Sequence, residues 1–270
     1  MSEQMRLDAA LVSRGLIGGR DRAKELIANG SVLVNGKPVK KAAYACAPQD
    51  EIILLQATEF VSRGGEKLEK ALSVFPVNVQ GVHALDIGAS TGGFTQCLLR
   101  HGAAKVYAVD VGHDQLAEVL KNDARVCNLE GTNARDLRAE MFDRKPELAV
   151  CDASFISIRL IFPVLRTLLA PGASCIFLVK PQFEAGRQNV GKKGVVKDPA
   201  VHKMVLREVL ESVKDNGFTP IGLTHSPIRG PEGNLEFLLW FSDAGDPAMF
   251  NIDEIVRSAH RDCAISKEGI

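Results

Sequence analysis

The rhythm of apolar positions changes near residue 60. Before it the runs are short: Leu7, Leu11 and Val12 fall on one face of a helix that Gly15 stops, and Ala23, Leu26 and Ile27 share a face of a second helix over Arg20–Ala28, closed by Asn29-Gly30. V-L-V-N-G-K-P-V reads as a hairpin, because Asn-Gly supplies the two positive-φ residues of a tight turn, and E-I-I-L-L reads as one more strand. From Val82 onward, apolar runs of strand length alternate with helical spacing. Strands are predicted near 83–87, 105–110, 125–129, 147–151, 174–179, 218–224 and 235–241, with helices over 93–101, 114–121, 158–169 and 200–216. Asp198-Pro199 opens the last of these, since Asp caps free N–H groups and Pro fits a first turn. Such alternation predicts an α/β domain with a largely parallel sheet.

Composition narrows the class further. A chain of 270 residues that is 46% hydrophobic can bury a substantial core, in one large domain or two unequal ones. Lys+Arg and Asp+Glu are both 33, so any pull on a polyanion must come from local clusters. M-S-E-Q-M-R-L-D has charges where a signal peptide has its apolar region, and no run of about 18 apolar residues exists, so a cytoplasmic protein without stable membrane association is expected. Cys46, Cys97, Cys127, Cys151, Cys175 and Cys263 stand singly, with no C-x-x-C pair and no His at ligand spacing, which predicts free thiols and no metal.

The chemistry gathers at strand ends. H-A-L-D-I-G-A-S-T-G-G-F-T passes from a strand through a glycine-rich turn into a helix, and Gly88, Gly92 and Gly93 leave room for a ligand against the backbone. K-V-Y-A-V-D-V ends a second strand in Asp110, placed to accept from two ribose hydroxyls. These features fit NAD and S-adenosylmethionine equally, but Ser90 stands where the dinucleotide fingerprint has its second glycine and Thr91-Gly92-Gly93 follows. G-R-Q-N-V-G-K-K imitates a P-loop but lacks the hydroxyl after its lysine, so it reads instead as a basic loop of Arg187, Lys192, Lys193 and Lys197. Asp152 ends the fourth strand of the large domain and Lys180 the fifth, so both should face one cleft. Glu236 reaches the same edge if the last strand is antiparallel, and Lys67 opens a helix that can close the group from above.

D-I-G-A-S-T-G-G-F-T resembles the first motif of the S-adenosylmethionine-dependent methyltransferases, in their FtsJ-like branch, and Lys67, Asp152, Lys180 and Glu236 resemble the catalytic tetrad of its 2'-O-methylating members. The helix, helix, hairpin unit, from R-L-D-A-A-L-V-S-R-G-L through S-V-L-V-N-G-K-P-V, resembles the small RNA-binding domain named from the fourth protein of the small ribosomal subunit. It departs from that pattern in having Gly19 where a capping Ser is usual. With F-V-S-R-G-G-E-K-L, V-C-D-A-S-F-I-S and L-V-K-P-Q-F-E, the whole chain resembles the TlyA family of ribosomal RNA methyltransferases, also labelled haemolysins.

That resemblance implies a Rossmann-like α/β methyltransferase fold with a seven-stranded, mostly parallel sheet and a small N-terminal α+β RNA-binding domain. The limits expected are 1–56 for the small domain, 57–65 for a linker, 66–245 for the methyltransferase domain and 246–270 for a helical tail. It implies S-adenosylmethionine as cofactor, held by Asp86, Gly88, Ser90, Thr91, Gly92, Gly93, Phe94, Asp110, Asn133 and Asp152, and no metal. Ribosomal RNA or assembled subunits are the implied partners, met by Arg14, Arg20, Arg22, Lys24, Arg63, Arg187, Lys192 and Lys193, with a cytidine ribose as target. In this scheme Lys180 is the base, Lys67 lowers its pKa and positions the hydroxyl, and Asp152 and Glu236 orient the lysines.

Other residues have two readings each. Asn133 either hydrogen-bonds adenine or forms a turn, and Phe155 and Phe183 either stack on a base or pack under the loop. Trp240 reads as core. A base methyltransferase would carry an Asn/Asp-Pro-Pro-aromatic motif where D-A-S-F stands, or a cleft-facing cysteine, whereas Cys151 should point away. The rivals from other classes are a membrane-active haemolysin, which needs a large membrane-binding segment, and a non-catalytic ribosome-binding factor.

Overall fold

The computed structural model of the protein describes residues 4–17, 19–28, 30–54 and 60–265; the side chains of Asp21, Arg22, Glu25, Ala264 and Ile265 lie outside that description. The chain divides into two compact units between Glu59 and Phe60.

In the first unit, β1 (Met5–Arg6) leads into α1 (Leu7–Ser13) and α2 (Arg20–Ala28). β2 (Val32–Val34) is the centre of a three-stranded sheet between β3 (Lys37–Pro38) and β5 (Ile52–Leu54), while β4 (Ala45–Cys46) pairs with β1. The hairpin turn forms as the Asn-Gly pair requires, with φ of 51° at Asn35 and 74° at Gly36. Leu7, Leu11, Ala23, Leu26, Ile27, Val32 and Val34 form its core. Asp8 is buried in it because Arg6 and Arg20 hold its carboxylate at 3.0 and 3.3 Å.

The second unit is built on a seven-stranded sheet. In chain order its strands are β6 (His83–Ile87), β7 (Lys105–Asp110), β8 (Val126–Glu130), β9 (Leu148–Cys151), β10 (Ser174–Val179), β11 (Thr219–His225) and β12 (Phe237–Ser242). In space they run β8-β7-β6-β9-β10-β12-β11, parallel except that β12 is antiparallel to both its neighbours. Period-two alternation divides the strand side chains between two cores. Leu85, Ile87, Val109, Cys151 and Phe177 pack with α6 (Phe162–Leu168), α8 (Pro199–Asp215) and α9 (Ile252–Ile265). Ala84, Val106, Val150, Ile176 and Leu238 pack with α3 (Gly64–Val74), α4 (Gly93–Arg100) and α5 (Glu118–Lys121). A short α7 (Pro181–Glu184) follows β10.

Strand expectations agree to within two residues, but two helices are shorter than their spacing predicts. The helix expected over 114–121 forms only as α5, because the N–H groups of Gln115 and Leu116 donate to the Glu130 carboxylate at 2.6 and 2.9 Å, and Asp114 is left-handed. The segment 158–169 opens as a 3-10 turn at Ile158–Leu160, and α6 starts only at Phe162. The packed chain also begins earlier than the expected domain limit: Phe60 is buried and α3 starts at Gly64. Residues 55–59, which include the first three of the expected linker, lie outside the described residues. Trp240 packs against the second core, tilted on Phe75 at 5.8 Å, and its indole N–H donates to Ser174 Oγ at 3.2 Å. None of the six cysteines forms a disulfide, and Cys151 faces the first core, where burial lifts its pKa to about 12.

Candidate active site

Four charged side chains meet where the parallel strands end. β9 stops at Cys151, and the Asp152 N–H turns over the neighbouring strand to donate to the Ile87 carbonyl at 3.0 Å. β10 stops at Val179 because Pro181 has no N–H with which to continue the ladder, leaving Lys180 at the strand mouth. Val179 pairs with Phe237 of the antiparallel β12, so Glu236 enters at the same edge. Lys67 comes from the first turn of α3.

Lys67 Nζ lies 2.7 Å from Glu236 Oε2 and 3.6 Å from Asp152 Oδ2, while Lys180 Nζ lies 2.7 Å from Asp152 Oδ1. Lys67, Lys180 and Glu236 are only 6%, 7% and 2% exposed. Two cations and two carboxylates sum to zero, the condition under which so many buried charges are tolerable. Lys180 also donates to the Asp152 carbonyl at 3.1 Å and to Ser154 Oγ at 2.7 Å. Asp152 Oδ1 and Glu236 Oε2 meet their lysines by charge but without hydrogen-bond alignment, so both are buried acceptors with capacity to spare. Burial pulls Lys67 down, yet Asp152 and Glu236 together outweigh it and its pKa ends above the ordinary lysine value. The lysine expected to act through its charge therefore keeps that charge at neutral pH.

Beside the tetrad, the sheet reverses its winding between β6 and β9, the place where open α/β sheets bind ligands. A cleft of about 580 Å³ lies there, lined by Gly88, Ser90, Asp110, Asn133, Ala153 and Ser154 among others. Asp110 accepts from the N–H groups of Ser90 and Gly112, both at 2.8 Å, which fixes the carboxylate at the cleft wall with lone pairs left over. An adenosine with a free ribose diol fits that wall. Asn133 takes the turn-forming reading, capping Arg135 N–H at 3.0 Å, and so could offer a ligand only its amide nitrogen.

Several residues expected to touch the cofactor have work within the loop itself. A Cβ on Gly92 would lie 2.2 Å from Leu120 Cδ1, and one on Gly93 would lie 2.3 Å from Ser62 Oγ, so the space a side chain would take is filled by the protein's own chain. Phe94 is core, and Thr91 is exposed and does not line the cleft. Asp86 is wholly buried beneath the loop, accepting from Thr95 Oγ1 at 2.6 Å, and burial carries its pKa up to about 7.

Residues 60–243 match the FtsJ-like methyltransferase family, and residues 5–52 match the S4 domain family. The chain belongs to the FtsJ-like methyltransferases. It is 43% identical to the Mycobacterium tuberculosis protein named 16S/23S rRNA (cytidine-2'-O)-methyltransferase TlyA, covering 92% of this chain and 94% of that one. It is 45% identical to Hemolysin A of Brachyspira hyodysenteriae, over 88% and 99% of the two chains. A solved structure from Streptococcus thermophilus that carries a hemolysin name superposes with a TM-score of 0.79 at 40% identity, covering 99% of this chain and all of that one. Among the described residues no helix is long and apolar enough to cross a membrane.

In this FtsJ-like domain the turn after β9 was read for its carboxylate, yet its other residues are as ordered. Phe155 is left-handed, with φ of 65°, and 91% exposed, its ring centroid 5.4 Å from that of Phe183. Such strain persists only where neighbours enforce it. The enforcer is Glu184, buried at the end of α7, which accepts from Ser157 Oγ at 2.6 Å, Ile158 N–H at 2.8 Å and Arg159 Nε at 3.1 Å. Sequence reasoning missed Glu184 and Ser154; the one signal was their place in Q-F-E and D-A-S-F. Among the RNA-binding candidates, Arg63, Arg187, Lys192 and Lys193 are exposed in the methyltransferase unit. Arg14 is committed to its own domain, donating to the carbonyls of Asp50, Ala47 and Pro48 at 2.6, 3.0 and 3.1 Å. Arg20 shares its guanidinium with Asp8, Lys24 is exposed, and the Arg22 side chain lies outside the described residues.

Proposed function

We propose that the protein transfers the methyl group of S-adenosylmethionine to the 2'-hydroxyl of a cytidine in ribosomal RNA, free or within a subunit, in the cytoplasm. The observation that carries this reading is the Lys67, Asp152, Lys180, Glu236 cluster beside the cleft. The relatives named for cytidine-2'-O methylation supply the target class, and the S4-type unit supplies an RNA-binding module.

Bound in the cleft, S-adenosylmethionine would bring a sulfonium methyl group with Asp110 on its ribose and Gly88 and Ser90 along its edge. The chain's own task is the proton. A ribose hydroxyl is a weak acid, so its proton must leave as the new O–C bond forms. Lys180 is the assigned acceptor: its ammonium first passes a proton to Asp152, 2.7 Å away, once the two side chains turn into line, and the neutral amine then takes the proton of the 2'-hydroxyl. Lys67 stays cationic and holds the oxygen as negative charge develops on it. Glu236 anchors Lys67.

The test is transfer of labelled methyl to purified small and large ribosomal subunits and their free RNAs, followed by nucleoside analysis. The reading predicts 2'-O-methylcytidine that disappears with Lys180→Ala. S-adenosylmethionine binding without transfer to any of these RNAs would leave a non-catalytic ribosome-binding factor in its place.

A further inference from the structure

A second hollow, of about 430 Å³, opens beyond Lys180 and is lined by Phe155, Ser157, Gln182, Phe183 and Arg187 among others. The reaction scheme uses none of its polar groups. Gln182 lies two residues after Lys180, and its Oε1 is buried without any hydrogen-bond donor. An orphaned buried acceptor is costly to keep and commonly marks a place for an outside partner. Here its residue lines a hollow that two aromatic rings, 5.4 Å apart and tilted by 48°, also line. The buried Glu184 clamp fixes the Phe155 side of that hollow, so it is built rather than incidental.

We propose that this hollow receives the base of the methylated nucleotide and that Gln182 reads its edge. This rests on the RNA 2'-O-methylation reading above and names what selects the nucleotide. Cytosine matches the amide: its exocyclic amine donates to Oε1 and its ring N3 accepts from Nε2, while the ring stacks on Phe155 or Phe183. Uracil reverses that edge and sets its O4 against Oε1. Held in this orientation, the amide of Gln182 favours cytosine over uracil by the margin of one bidentate base contact, about tenfold to hundredfold.

The experiment uses the full-length protein and ribosomal RNA in which the methylated position, mapped with wild type, is either cytidine or uridine. Wild type is expected to prefer cytidine in kcat/KM. Gln182→Ala should lose most of that preference while keeping its S-adenosylmethionine affinity and melting temperature. Gln182→Glu should lose the preference as well, because a carboxylate has no donor for cytosine N3 and accepts from the uracil N3–H as readily as from the cytosine amine. A cytidine preference unchanged in Gln182→Ala, or equal losses on both RNAs, overturns the assignment. Failure of wild type to methylate any ribosomal RNA would instead count against the reading on which it rests.

Discussion

Asp86→Asn tests whether the floor of the glycine loop is built around a carboxyl group that must give up its charge. Asp86 is 0% exposed; Thr95 satisfies Oδ2 at 2.6 Å, and Oδ1 has no partner. Burial first, with Asp152 and Asp110 adding to it, moves the pKa from 3.8 to about 7 against the pull of Thr95. The folded protein thus holds this proton where the unfolded chain has already released it. Below about pH 4 both states are protonated and nothing is lost; as pH rises toward 7 the folded state forfeits roughly 1.4 kcal/mol per pH unit, about 4 kcal/mol in all. Between pH 5 and pH 8 the loss is about 3 kcal/mol. Asparagine cannot ionise, and the other titrating groups cancel between the two proteins. Urea unfolding of wild type and Asp86→Asn at both pH values should therefore show the variant gaining about 3 kcal/mol on wild type from pH 5 to pH 8. A difference that stays constant across that range would refute the buried, raised carboxyl.

Three further outcomes follow from the site. Glu236→Ala leaves the buried Lys67 ammonium with Asp152 at 3.6 Å as its remaining carboxylate partner, and should cost about 3 kcal/mol in urea unfolding besides abolishing transfer. Gly88→Ala sets a Cβ 2.8 Å from Ala153 Cα at a φ of 79°, forcing the glycine loop off the turn after β9; calorimetry should show S-adenosylmethionine binding lost and melting lowered by the equivalent of about 2 kcal/mol. Lys192→Ala and Lys193→Ala, both at exposed sites, should each reduce the slope of log affinity for ribosomal RNA against log salt by about 1, measured by filter binding, with folding unaffected.

Much of this fold is written in local pattern. Strands such as β9, β10 and β12 read directly because each is a contiguous apolar run, and the tetrad read because three of its members flank those runs. What stayed hidden depends on partners far along the chain. Nothing near Gln115 announces that Glu130 will take its N–H and shorten α5, and nothing near Phe155 announces that Glu184, twenty-nine residues later, will hold its turn. Gly92 and Gly93 show the limit most clearly: the glycines were legible, but whether a ligand or Leu120 and Ser62 fill the space they leave is a tertiary fact.

The two lysines of the tetrad are chemically alike, and their surroundings give them different work. Lys67 faces two carboxylates, Glu236 at 2.7 Å and Asp152 at 3.6 Å, and it responds with a raised pKa. Lys180 faces Asp152 alone and shares it, its other contacts being a carbonyl and the Ser154 hydroxyl. A lysine between two anions is the less available base, because giving up its proton would leave both carboxylates buried without compensation. Asp152 is the member both lysines touch, so a proton that moves from Lys180 to Asp152 neutralises that pair while Lys67 and Glu236 still balance each other. In the proposed reaction, the carboxylate at the end of the apolar run of β9 would let one lysine be uncharged for an instant without leaving the buried site with a net charge.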